Sequence, residues 1–163
     1  MKQLGVTAEY RRCVLPALET AERTGQPAAA MELPDGNVVL GKTSNLLGAS
    51  SALILNALKT LAGISRDIDL VSPVVIGPIQ DLKVNHLGNK NPRLHTDEVL
   101  LALSISAATN PTAEKAMQAL SLLRGCEMHS TVILADVDMH TFSKLGVHVT
   151  CEPSRQNKSL YHK

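Results

Sequence analysis

The densest gathering of side chains able to do chemistry lies in GCEMHSTVILADVDMHTFSKLGVHVTCEP, residues 125–153, which holds two cysteines, three histidines and four acidic residues. Cys126 and His129 stand in C-x-x-H spacing, and Cys151 follows where a neighbouring strand could bring it close. Thiolate and imidazole are ligands that zinc takes in a tetrahedral array. A structural zinc site usually shows two close pairs, however, and only one is present. Cys126, His129 and Cys151 therefore read first as strand and loop residues and only second as a metal site. His129 remains a candidate for proton transfer, the chemistry an imidazole does near neutral pH. His140 and His148 read as surface or half-buried residues.

Two other stretches carry chemistry. In LGKTSNLLGAS, Lys42, Thr43 and Ser44 would sit at a helix N-terminus, where free amides and the dipole favour an anion. The glycine-rich loop of a phosphate-binding G-x-x-x-x-G-K-[ST] is missing before Lys42, so an ordinary helix cap with a nearby lysine is the competing reading. The most polar segment is NHLGNKNPRLHTDE, residues 85–98. Lys90 and Arg93 supply positive charge, His95 can exchange protons, and Asp97 and Glu98 can accept them. This segment ranks first because cation, imidazole and carboxylate fall within a few residues, although a solvated loop leading into a helix cap would have the same composition.

The elements that must position these groups are signalled by caps and periodicity. RRCVLPALETAERTG reads as a helix closed by Gly25, with Pro16 in its first turn. Met31, Leu33 and Val39 around Asp35-Gly36 predict two short strands joined by a tight turn. TSNLLGASSALILNALKTLAG predicts a central helix, capped by Thr43 or Ser44 and stopped by Gly63, apolar nearly all round and so covered on most sides. Its small residues Gly48, Ala49, Ser50, Ser51 and Ala52 allow close approach. Three helices follow: Ser72 with Pro73 and Asn110 with Pro111 repeat a cap-then-proline start, and Thr96 opens the third with Asp97 and Glu98 suited to the dipole. STVILA and VHVTC read as parallel strands joined by the short helix DVDMHTFSKLG.

The totals bound the answer. A chain of 163 residues with 44% apolar content suits one globular fold. No Trp, one Phe and two Tyr leave few platforms for stacking bases, and a net charge of +1 gives no basic field, so nucleic acid is not the expected partner. No apolar run is long enough to span a membrane, and the first residues lack the apolar region of a signal peptide. Three cysteines, odd and sparse, read as reduced thiols in a cytoplasm.

The expected fold class is α/β, a mixed sheet of a hairpin plus a strand-helix-strand unit packed with helices. Residues 1–27 form the N-terminal helix and lead-in, 28–71 and 126–153 the sheet domain, 72–125 a helical insertion, and 154–163 a frayed tail. This order resembles the cytidine-deaminase-like fold with a helical insertion. Zinc deamination needs a His or Cys and a Glu at the start of the central helix, and SNLLGASSA offers neither.

The strings MELPDGNVVLGKTSNLLGASSALILNALKTLAG, NPRLHTDEVLLALSISAATNP and LRGCEMHSTVILADVD with LGVHVTCEP closely resemble the C-terminal part of the bacterial domain-of-unknown-function family 1846, also called uncharacterised protein family 0371. The resemblance implies a chain corresponding to the last third of a longer protein, with an upstream domain as partner. It also implies a glycine-rich, phosphate-loop-like segment upstream, so ATP enters only with that region. Some members are labelled ATP-dependent zinc proteases, but no H-E-x-x-H occurs here. The expected function is a domain of a cytoplasmic enzyme acting on a nucleotide or another phosphorylated or anionic small molecule. The alternatives are a non-catalytic packing or homo-oligomerisation module, supported by the very apolar helices, and a zinc-stabilised domain.

Overall fold

The computed structural model describes residues 12–153. The tail from Ser154 onward, expected to fray, lies outside the described residues, as do residues 1–11. Helix α1 (Val14–Thr24) stops at Gly25, whose φ of 70° is the left-handed turn that glycine tolerates best. Strands β1 (Ala28–Glu32) and β2 (Val38–Lys42) pair antiparallel from Ala28↔Lys42 to Glu32↔Val38. The turn between them is held as Asp35 and Gly36 predict: the Leu33 amide donates to the Asn37 carbonyl, and Asp35 Oδ1 accepts the Asn37 amide at 3.0 Å.

Helix α2 (Ala49–Ala62) is the central helix, with Leu53, Ile54, Ala57 and Leu58 fully enclosed. Helix α3 (Pro73–Asp81) starts on Ser72, whose hydroxyl accepts the Val74 amide, and runs into a π turn, Leu82–His86. Helix α4 (Thr96–Ala107) and helix α5 (Pro111–Gln118) come next, α5 capped by Asn110 and tightening into a 3-10 turn, Ala119–Leu123. Strand β3 (Glu127–Ser130), helix α6 (Asp136–Leu145) and strand β4 (His148–Cys151) complete the chain. The sheet order is β2-β1-β3-β4, with β1 antiparallel to both neighbours and β3 parallel to β4. The architecture is thus the α/β mixed sheet that the sequence predicts, hairpin and strand-helix-strand unit included.

One apolar core runs through both the sheet and the helices: Met31 and Met128 meet Leu53, Leu58, Leu103, Leu123 and Phe142. Burying each of these side chains stabilises the fold by roughly 1.5–3 kcal/mol, which explains why α2 has so little polar surface. The approach of α2 to β2 is set at Gly41. A Cβ there would stand 2.3 Å from the Ala49 carbonyl oxygen and 2.5 Å from the Leu53 amide nitrogen.

Two expectations need correction. The run STVILA is not a strand: β3 is displaced upstream to Glu127–Ser130, and residues 131–135 form a loop. Ser130 turns the chain, its hydroxyl donating to the Val132 carbonyl at 2.6 Å and accepting the Val132 amide at 3.2 Å. Apolar residues there cover a core edge rather than extend a ladder. Likewise, α2 is not capped by Thr43 or Ser44. It starts at Ala49 behind Gly48, with no side-chain cap. Thr43 instead donates to the Pro27 carbonyl at 2.8 Å, and the Ser44 hydroxyl accepts the amides of Leu46 and Leu47 in a turn of its own.

Candidate functional site: a cleft where three helices begin

The loop 44–47 and the loop 93–95 are laced together. The Leu94 amide donates to the Leu46 carbonyl at 3.1 Å, Ser51 Oγ donates to the Leu94 carbonyl at 2.8 Å, and Arg93 Nε donates to the Ser44 carbonyl. That lacing brings the start of α2 against the start of α4. The crossover from β3 then lays the start of α6 over the same spot, at the carboxyl end of β3, where open α/β sheets hold their ligands. The resulting cleft has room for about 50 Å³ and is lined by the first turn of α2, by Arg93 and His95, by Ser130 and by Ala135 and Asp138.

His95 and Asp138 are its chemical centre. His95 Nδ1 lies 3.3 Å from Asp138 Oδ2, and Asp138 Oδ1 accepts the Thr96 amide at 3.0 Å and the Thr96 hydroxyl at 2.8 Å. Burial alone would raise the Asp138 pKa, but the hydrogen bonds from His95 and Thr96 outweigh it and hold the carboxyl below its ordinary value. The hydrogen bond to Asp138 pushes the His95 imidazole above its ordinary value, with desolvation opposing. Both shifts favour the ion pair, an imidazolium beside a buried carboxylate, and no side chain among the described residues hydrogen-bonds His95 Nε2. The backbone of His95 is fixed separately: buried Lys83 donates to Glu98 Oε1 at 2.8 Å and to the Arg93 carbonyl at 2.6 Å, while Glu98 Oε1 accepts the His95 amide at 2.7 Å. On the other side of His95 a second hollow of about 280 Å³ is lined by Lys83, Asn89, Lys90, Asn91 and Glu98.

The sequence candidates are therefore distributed unevenly. His95 and Arg93 line the cleft, and Glu98 supports it from behind. Lys90 stands on the rim of the neighbouring hollow. Asp97 is exposed, its carboxylate accepting the Glu98 amide. Lys42 lies exposed at the end of β2, and with Thr43 and Ser44 it stands ahead of α2 rather than at its N-terminus. His129 is buried within the sheet with both ring nitrogens engaged, Nδ1 with Thr150 Oγ1 and Nε2 with Glu152 Oε2, each at 2.7 Å.

Cys126, His129 and Cys151 are not gathered. Cys151 pairs with Ser130, while the Cys126 carbonyl takes the His148 amide at the opposite end of the same ladder, about 13 Å away at the usual strand rise. Burial pushes the Cys126 thiol up, away from the thiolate that a metal needs. No group of three metal-ligating side chains is assembled among the described residues. The residues that sequence reasoning missed are Asp138, Thr96 as its donor, Ser50 and Ser130. The one available signal was an acid in the first turn of a helix that directly follows an apolar run.

No helix among the described residues is long and apolar enough to cross a membrane. Along its whole length the chain is 58% identical to a UPF0371 protein of Corynebacterium glutamicum, 55% to one of Corynebacterium urealyticum and 51% to one of Streptococcus thermophilus. It covers 33% of each, so it spans about a third of the length of the curated relatives it matches. Residues 9–161 match the family described as Domain of unknown function DUF1846, C-terminal, and the chain belongs to that family.

Proposed function

We propose that this chain is the ligand-holding part of a larger cytoplasmic enzyme, and that its cleft takes the anionic head of a small molecule beside a proton-donating His95. The observation that carries this reading is the meeting of three helix starts at one point. Gly48, His95 and Ala135 are the N-caps of α2, α4 and α6, and all three line the cleft. Each start brings the positive end of a dipole, and those of α2 and α6 also bring amides without an intrahelical acceptor. At α4 the amides of His95, Thr96 and Glu98 are instead taken by Glu98, Asp138 and Asp97. Arg93 adds a full charge. Among the described residues Asp138 is the only acid lining the cleft, and Thr96 and His95 already engage it. At about 50 Å³ the cleft holds about three to five waters, which suits an acid group and not a nucleoside. His95 Nε2 would donate a proton or hydrogen bond to an oxygen of the bound anion, and Asp138 would steady the imidazole.

Titrating small anions while following the His95 ring by NMR tests the proposal. A shift of the ring and of the first amides of α2 is expected; a ring indifferent to every anion sinks it.

A second reading has its own observation. Leu101 and Ile105 on α4 are 63% and 64% exposed, and Ser104 and Ala108 complete a stripe at helical spacing on the same solvent face. The stripe fits a packing role, either against the further two thirds found in the relatives or between copies of the chain. A clean monomer whose Leu101→Ser, Ile105→Ser variant behaves identically would remove that role.

A further inference from the structure

We infer that the head group held in this cleft is a phosphate monoester rather than a carboxylate, and that the Ser50 hydroxyl donates to it. The inference rests on the anion reading above and narrows it to a substrate class. Ser50 is 6% exposed and lies in the first turn of α2, behind an N-cap that offers no side-chain acceptor. Its neighbour Ser51 is tied to the Leu94 carbonyl, but the Ser50 hydroxyl hydrogen-bonds to nothing among the described residues. A hydroxyl on so buried a residue that finds no protein partner is left for water or a ligand to complete. No fully enclosed polar side-chain atom is left unsatisfied among the described residues, which means that the Ser50 oxygen is open to the cleft it lines.

The donors carried by residues that line the same cleft outnumber what a carboxylate can use. The amides of Ala49, Ser50 and Ser51 have no intrahelical acceptor. To these are added the Ser50 hydroxyl, the guanidinium N–H groups of Arg93 beyond Nε, and Nε2 of His95. A carboxylate has two oxygens with about four lone-pair sites. A phosphate monoester has three terminal oxygens in a tetrahedral array, which suits donors converging from a helix start, a loop and a facing imidazole. The organic part of the ester leaves toward the hollow beyond His95, since His95 and Asn91 line both spaces.

Inorganic phosphate and acetate titrated into the 163-residue chain, read by amide and histidine-ring NMR, test this. Phosphate is expected to move the amides of Ala49, Ser50 and Ser51 and the His95 ring. Acetate is expected to bind at least about tenfold more weakly, and Ser50→Ala to weaken phosphate binding about tenfold, the ordinary weight of a hydrogen bond to a charged oxygen. Alanine favours helix, so S50A should fold; Ser50→Cys, close in size and a poor donor, is the second variant, with the same expectation. If acetate binds as well as phosphate, or if both Ser50 variants bind phosphate normally, the phosphate assignment falls while the anion reading stands. If neither anion moves these groups, both fall.

Discussion

Replacing Asp138 by asparagine tests the charged pair directly. The amide oxygen of the new side chain can still accept from the Thr96 amide and hydroxyl, which lie 3.0 and 2.8 Å from Asp138 Oδ1. Its NH2 group would then face His95 Nδ1, where a carboxylate oxygen now lies at 3.3 Å. A donor facing Nδ1 forces the neutral tautomer with hydrogen on Nε2, and the imidazole loses the partner that favours its charge. Because the folded His95 pKa is raised above 6.5, the stability it contributes is fully present below 6.5 and is lost as pH rises through the folded value. Asp138, lowered below 3.8, contributes stability above 3.8 that is lost as pH falls through its folded value. The pair is therefore worth most between those limits. Charged hydrogen bonds are worth about 1.5–3 kcal/mol, but the His95 side chain is 33% exposed and solvent screens it, so about 1 kcal/mol is the realistic share. Urea unfolding at about pH 5.5 and about pH 8.5, in wild type and D138N, isolates that share, since the other histidines cancel in the double difference. Wild type should lose about 1 kcal/mol more than D138N across the interval. An equal loss in both proteins, with an unshifted His95 titration, would show that Asp138 does not keep the imidazole charged.

Other substitutions separate the site from its scaffold. Gly41→Ala should destabilise by about 3 kcal/mol or more, visible as a large drop in Tm, because the atoms a Cβ would meet are backbone and cannot rotate away. Lys83→Met removes the donor to both Glu98 and the Arg93 carbonyl; a loss of about 2–3 kcal/mol in urea unfolding is expected, together with weaker anion binding as the 93–95 segment loosens. His129→Ala should cost about 2–3 kcal/mol through the lost bonds to Thr150 and Glu152, yet leave the anion response of the His95 ring unchanged; a lost response would place His129 in the site after all.

The helix and hairpin signals were local, and those were legible. Ser72-Pro73 and Asn110-Pro111 predict α3 and α5 because the capping oxygen and the missing proline N–H act within one turn. Asp35-Gly36 predicts its turn for the same reason. The misplaced β3 shows where locality ends. Period alone does not distinguish an apolar run that extends a ladder from one that lids a core, and Ser130 ends the strand by bonding backbone two residues on. The early cap on α2 fails similarly: Thr43 and Ser44 are good caps by type, but each finds a nearer acceptor or donor before the helix starts.

The site was half legible for a related reason. His95, Arg93 and Glu98 are close in sequence and were found by composition, whereas Asp138 reaches Thr96 and His95 across 42 and 43 residues. Nothing in the type or position of Asp138 separates it from Asp97, since both are acids in the first turn of a helix and either could serve only the dipole. Topology separates them. A parallel β3-α6-β4 crossover must carry the start of α6 over the carboxyl end of β3, and Ser51 holds the start of α4 at that same end through Leu94. An acid in the first turn of α6 then faces the first turn of α4, where it meets an imidazole, a hydroxyl and an amide that all need an acceptor. Asp97, in the first turn of α4 but outside that meeting point, stays in solvent. The chemistry of the cleft thus follows from where three helices begin, and the residues that matter in it are those that the sheet connections bring to that one place.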